Sequence, residues 1–154
     1  QKSFLQEGPE LTINLELGKF EGRFRRPFVA IWIENSNKET VRTLALWFNK
    51  PKWLPDLKSW YNKNYASYNS SQSDISTISS ATRPPGEYAL KWDMKDEKGN
   101  TLPPGKYTVY IEAAREHGTY QLIKQEIDCR KKSHIIQMKG NVEIAAASLE
   151  FIKK

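Results

Sequence analysis

The chain of 154 residues is 38% hydrophobic and 27% charged, with a formal net charge of +6. That size and balance describe one folded domain with a real core, and exclude a disordered chain or two full-sized domains. No apolar run approaches the ~18 residues that a membrane span requires. The single cysteine, Cys129, excludes an intramolecular disulfide, so packing must hold the fold together, with the thiol as a small core hydrophobe.

In chain order, Gln1 opens the sequence with no initiator Met and no apolar leader, which fits a removed signal peptide or a shortened chain. Glu10 to Leu17 alternates, with Leu11, Ile13, Leu15 and Leu17 on one side, and predicts a half-buried strand. Lys19, Arg23, Arg25 and Arg26 interleave with Phe20, Phe24 and Phe28. This is also the composition of a nucleic-acid surface, but a solvated basic face accounts for it, and no nucleic-acid partner is expected. PFVAIWIE, Pro27 to Glu34, is apolar on both faces and predicts a central strand. Val41 to Phe48 should pair with it as a hairpin across Asn35-Ser36-Asn37.

Residues 49–83 then break the β pattern and read as one long insertion within a single domain, 1–154. Lys52 to Tyr61 predicts a short helix, with Leu54, Leu57 and Trp60/Tyr61 on one face. The polar stretch after it predicts a loop, mobile from Lys63 to Ser80. Five aromatics, Trp53, Trp60, Tyr61, Tyr65 and Tyr68, mark the insertion as packed onto something. Alternation resumes at Tyr88, Leu90 and Trp92 and again at Tyr107, Val109 and Ile111, joined by a turn-rich connection containing Gly99 and Pro103-Pro104-Gly105. Thr119 to Ile127, Ser133 to Met138 and Val142 to Ile152 supply further strands. Gly140-Asn141 marks a turn, and the parity change between Ile144 and Leu149 predicts a bulge. Seven to eight strands of this kind predict an all-β, immunoglobulin-like antiparallel sandwich, with Trp32, Leu46, Leu90 and Ile111 in its core.

Catalytic and metal templates are absent. Asp93, Asp96 and Gly99 have the wrong spacing for a calcium loop and suit turn chemistry. His117, Cys129 and His134 lack the close pairs of a zinc site, so no metal is expected. No nucleophile elbow, HExxH helix or phosphate-cradling loop occurs, and no enzyme activity is expected. Arg115-Glu116-His117-Gly118 joins two predicted strands. It reads as a tight turn at Gly118, or as a ligand site in which Arg115 and His117 sit at the sandwich end.

Two stretches carry a resemblance. WDMKDEKGNTLPPGKYTVYIEA resembles the immunoglobulin-like hairpin of flagellar hook-capping proteins. RPFVAIWIEN, VRTLALWF, KWLPDLKSWY, ATRPPGEYALKWD and EAAREHGTYQL, spread over roughly residues 26 to 123, resemble an uncharacterised family of predicted periplasmic proteins. That resemblance implies a periplasmic or otherwise extracytoplasmic location, and association with PepSY-type membrane proteins and a flavin transferase. Targets of such transferases carry Asp-x-x-Ser/Thr-Gly/Ser-Ala-Thr, whose Thr oxygen forms a phosphoester with FMN. Ser79, Ser80, Ala81 and Thr82 match that motif; Ser76 stands where the Asp is usual, and the nearest acid is Asp74.

The resemblance therefore implies covalent FMN as a cofactor on Thr82, with Ser79, Ala81 and Arg83 around it. It makes the chain an electron-transfer accessory to a membrane redox or metal-uptake partner. The rival expectation is a non-redox adhesion or scaffold module that binds protein or glycan through the aromatic insertion, with Trp53 and Trp60 as contacts.

Overall fold

A computed structural model describes residues 9–18, 26–48, 51–70, 79–115, 120–140 and 143–153, excepting the side chains of 51 and 67–70. Strand β1 spans Glu10–Leu17, β2 Phe28–Glu34 and β3 Thr40–Trp47. A 3-10 turn, Pro51–Asp56, leads into helix α1, Lys58–Ser70. Then come β4 (Ser79–Ser80), β5 (Gly86–Trp92), β6 (Lys106–Ala114), β7 (Tyr120–Asp128), β8 (His134–Met138) and β9 (Ile144–Ile152).

Two sheets form, ordered β5-β1-β9-β8 and β4-β3-β2-β6-β7, and every pairing is antiparallel except β3 with β4. β1 lies beside β5 in one sheet while β2, β6 and β7 lie together in the other, which is the Greek-key crossing of an immunoglobulin-like sandwich. Between the sheets, Leu11, Ile13, Ile31, Trp92, Ile111 and Phe151 are essentially inaccessible. Cys129 is buried among them, as the lone-cysteine reading expects, and burial pushes its thiol up to about 12.

Turn chemistry follows the sequence. Asn35 Oδ1 accepts from the N–H groups of Asn37 and Glu39, closing the β2–β3 hairpin. Asp96 Oδ1 accepts from Lys98 and Asn100, and Gly99 takes φ +87°, so these residues shape a turn. The predicted bulge falls at Ala145: Leu17 pairs with Ile144 and Glu16 with Ala146, leaving Ala145 extra. Gly140 sits in close backbone contact, since a Cβ there would lie 2.2 Å from the carbonyl oxygen of Ile144. Asn141 and Gly118 are outside the described residues.

A third layer covers the outer face of the five-stranded sheet. The 3-10 turn and α1 bury Leu54, Leu57 and Trp60 against Phe28, Ala30, Trp32 and Leu46. Trp53 stacks on Phe28 and Trp32 stacks on Tyr110 at 5.0 Å. This is why PFVAIWIE is apolar on both faces: every residue of β2 is buried, one face in each core.

Three expectations need correcting. The helix runs to Ser70, well beyond Tyr61, so Lys63 to Ser70 is helix and the expected loop shrinks accordingly. Trp32 and Leu46 are core residues beneath the helical cover, not between the sheets, whereas Ile111 is between them. Leu90 is only half-buried, because it stands on the edge strand β5.

Candidate functional site

The residues around Thr82 lie where the chain passes from the edge of one sheet, β4, to the edge of the other, β5. Ser79 and Ser80 pair in parallel with Leu46 and Trp47, and the Phe48 N–H donates to the Ser80 carbonyl at 3.0 Å. Beyond Thr82, Arg83 Nη2 donates to Ser80 Oγ at 3.0 Å, and its guanidinium lies over the Trp47 ring at 4.7 Å. Trp47 meets Tyr88 edge to face at 5.5 Å, and the Tyr88 hydroxyl donates to the Pro84 carbonyl. Thr82 is half-buried and Ala81 exposed. The matching stretch is therefore a strap anchored on both sides of Thr82, where the sequence suggested a free Ser-rich loop. Ser76 lies outside the described residues.

Arg115 was expected to serve a ligand at the sandwich end. Its guanidinium instead grips Glu143, Nε to Oε2 at 3.1 Å and Nη2 to Oε1 at 2.7 Å, with both side chains buried. A charge desolvated and paired in this way holds the end of the sandwich shut, and the backbone carbonyl of Glu143 also accepts from Gly18 N–H. His117 lies outside the described residues.

The insertion's tryptophans are also engaged internally. Trp60 is fully buried, and its indole N–H donates to Thr43 Oγ1 at 3.1 Å. Trp53 is half-buried on Phe28 with Lys52 Nζ over its ring. An adhesion surface built on Trp60 is excluded by that burial.

Sequence reading missed the carboxylates that seat the cover. Glu112, on β6, is completely buried on the outer sheet face. It accepts from the N–H groups of Ser59 (2.7 Å) and Trp60 (2.9 Å), in the first turn of α1, and from the Tyr120 hydroxyl (2.5 Å). A carboxylate there satisfies donors that no helix can satisfy itself and complements the helix dipole. Ser59 Oγ lies 2.9 Å from Tyr120 Oη, and Lys58 Nζ lies over the Tyr120 ring. Further along, Glu34 accepts from Trp32 Nε1 and pairs with Lys63 Nζ at 2.8 Å. The signal in the sequence was one acid at the end of the apolar β2 and one in the apolar second half of β6.

Burial, then the bond to Glu112, push the Tyr120 phenol up to about 12. Because the folded value exceeds the ordinary value of about 10, the protonated phenol favours the fold. That contribution is whole below about pH 10 and is lost as the pH rises through about 12. Tyr120→Phe is expected to lose the last step of the ultraviolet phenolate titration. An unchanged profile would show that Glu112 does not hold the proton.

No group of three or more His, Cys, Asp or Glu side chains placed to hold a metal occurs among the described residues. None of the described helices is long and apolar enough to cross a membrane. A shallow cavity of about 330 Å³ lies across the outer face of the four-stranded sheet, lined by Asn14, Glu16, Glu87, Gln137 and Ser148 among others. None of the candidate site residues named from the sequence lines it.

These features define an all-β sandwich module with a helical cover, offering an anchored inter-sheet strap and a polar sheet face. The chain belongs to the DUF2271 family, described as predicted periplasmic proteins, whose model matches residues 10–146. The family places it in the periplasm. The chain is also similar to truncated FlgD from Helicobacter pylori, known from a crystal structure, at 16% identity and a TM-score of 0.37, over 96% of this chain and 84% of that one. No curated protein matches it.

Proposed function

We propose that the protein is a periplasmic accessory module, not a free-standing enzyme, which carries FMN on Thr82 and passes electrons to or from a membrane redox or metal-uptake partner. The supporting observation is the strap: Thr82 sits between two anchors, with the Arg83 cation fixed one residue away. A phosphoester keeps a negative charge, and a guanidinium with five donors, one of them given to Ser80, suits that charge. The residues thus fit the phosphate end of the group: Thr82 would hold it covalently and Arg83 would neutralise it. FMN, when attached, supplies the redox chemistry, while the chain holds and orients it.

Co-expression with a flavin transferase in an exporting host is expected to add one FMN mass to the intact protein. Thr82→Val removes the hydroxyl at nearly constant shape and should abolish the adduct completely, with stability almost unchanged. Ser76→Asp, which restores the usual acid, should raise the yield. An adduct that survives Thr82→Val, or no adduct in either the wild type or Ser76→Asp, overturns the reading.

A second reading rests on the polar trough. The amide, hydroxyl and carboxylate groups of Asn14, Gln137, Ser148, Glu16 and Glu87 suit a polyhydroxyl ligand such as a glycan. It keeps the adhesion class but moves the contact away from the tryptophans. Binding on a glycan array that Ala89→Trp abolishes, by filling the trough, would support it.

A further inference from the structure

The same strap raises a question of access, and the inference drawn from it rests on the reading that Thr82 is the acceptor. A transferase must close around the threonine hydroxyl and the residues beside it. Here those residues are committed elsewhere. Ser79 and Ser80 complete the edge of the five-stranded sheet. Arg83 is held between Ser80 and the face of Trp47. Pro84 is tied to Tyr88. Thr82, half-buried, lies between the β4 pairing on one side and the Arg83 and Pro84 contacts on the other, both beside the Trp47–Tyr88 pair.

Among the described residues these anchors are few and local. β4 is two residues long, so among the described residues releasing it breaks little more than its pairing with Leu46–Trp47 and the Phe48–Ser80 bond. Openings of this size cost far less than global unfolding. We propose that release of β4 from the edge of β3 is the step that admits the transferase, so that strap docking gates modification. In the open form the Thr82 hydroxyl attacks the FMN phosphorus of a flavin dinucleotide. The new O–P bond forms as the pyrophosphate bond breaks, AMP leaves, and the hydroxyl proton passes to the transferase's base. No oxidation occurs. Re-docking then brings Arg83 back beside the phosphate.

The test compares two rates on the full-length protein: hydrogen exchange of the Phe48 amide, and gain of FMN mass with transferase and flavin adenine dinucleotide. Tyr88→Phe removes one anchor with little risk to folding, and Trp47→Leu removes the seat of Arg83. Both are expected to raise Phe48 exchange and adduct formation by the same factor, about three- to tenfold, since both rates then follow the open population. Faster exchange with an unchanged or slower adduct rate would overturn the gate and show that the docked strap is the substrate. A peptide of residues 70–90, which has no sheet to dock on, separates the two ideas. If peptide and protein both stay unmodified, acceptor function at Thr82 is wrong. If the peptide is modified no faster than the folded protein, the gate alone is wrong.

Discussion

Glu112→Ala is expected to lower stability by about 3–5 kcal/mol, because two helix N–H groups and a phenol lose their acceptor at about 1–3 kcal/mol each, part of which water recovers. The residue is fully buried, and it is the point at which α1 is fixed to β6. The loss should therefore include the cover itself. Helical circular dichroism should decline before the β signal in denaturant, and the fluorescence of Trp60 should shift towards that of an exposed indole. Glu112→Gln keeps the shape but turns one acceptor into a donor facing helix N–H groups, so it should recover less than half of the loss. A change below about 1 kcal/mol would mean that apolar packing alone holds the helix.

Arg115→Leu is the second large effect, expected at about 3–5 kcal/mol, because Glu143 would remain buried without the guanidinium that grips it. The companion double variant, Arg115→Leu with Glu143→Leu, removes both charges and should return most of that stability, as buried pairs replaced by apolar residues commonly do. Chemical unfolding of the three proteins makes the comparison. Equal losses in the single and double variants would show that the pair is not the source of the effect.

Period-two patterns located β1, β5 and β6, because alternation records directly which side chains face a core, and β2 was legible as an apolar run between turn signals. Even the bulge at Ala145 was visible, as a change of parity. What escaped has a common cause. KSWYNKNYASYNS is poor in strong helix formers, and propensity alone argues against a helix there. It folds as one because of partners distant in sequence: Glu112 accepts at its first turn, Lys63 reaches Glu34, and Trp60 fills the hollow over β2. Tyr61 and Tyr65, four residues apart, also stack at 4.5 Å. β4 escaped for a similar reason: two serines become a strand only where Leu46 and Trp47 lie alongside them. At the sandwich end, Arg115 looked like a ligand residue because nothing local reveals that its partner, Glu143, lies 28 residues on.

The position of β1 sets a timetable for assembly. It is the first of the described strands and lies inside its sheet, yet its neighbours are β5 and β9, and Glu10 pairs with Ile152, more than a hundred residues on. A chain that emerges from a membrane N-terminus first must leave β1 with an open flank until β9 arrives. The sheet containing β2, β3, β6 and β7 has no such delay, since its members lie between Phe28 and Asp128. Closing so long a loop is slow, and an unpaired apolar strand invites association while it waits. During export, Leu11, Ile13, Leu15 and Leu17 therefore form an apolar row that stays without one of its covering strands until β9 pairs with it.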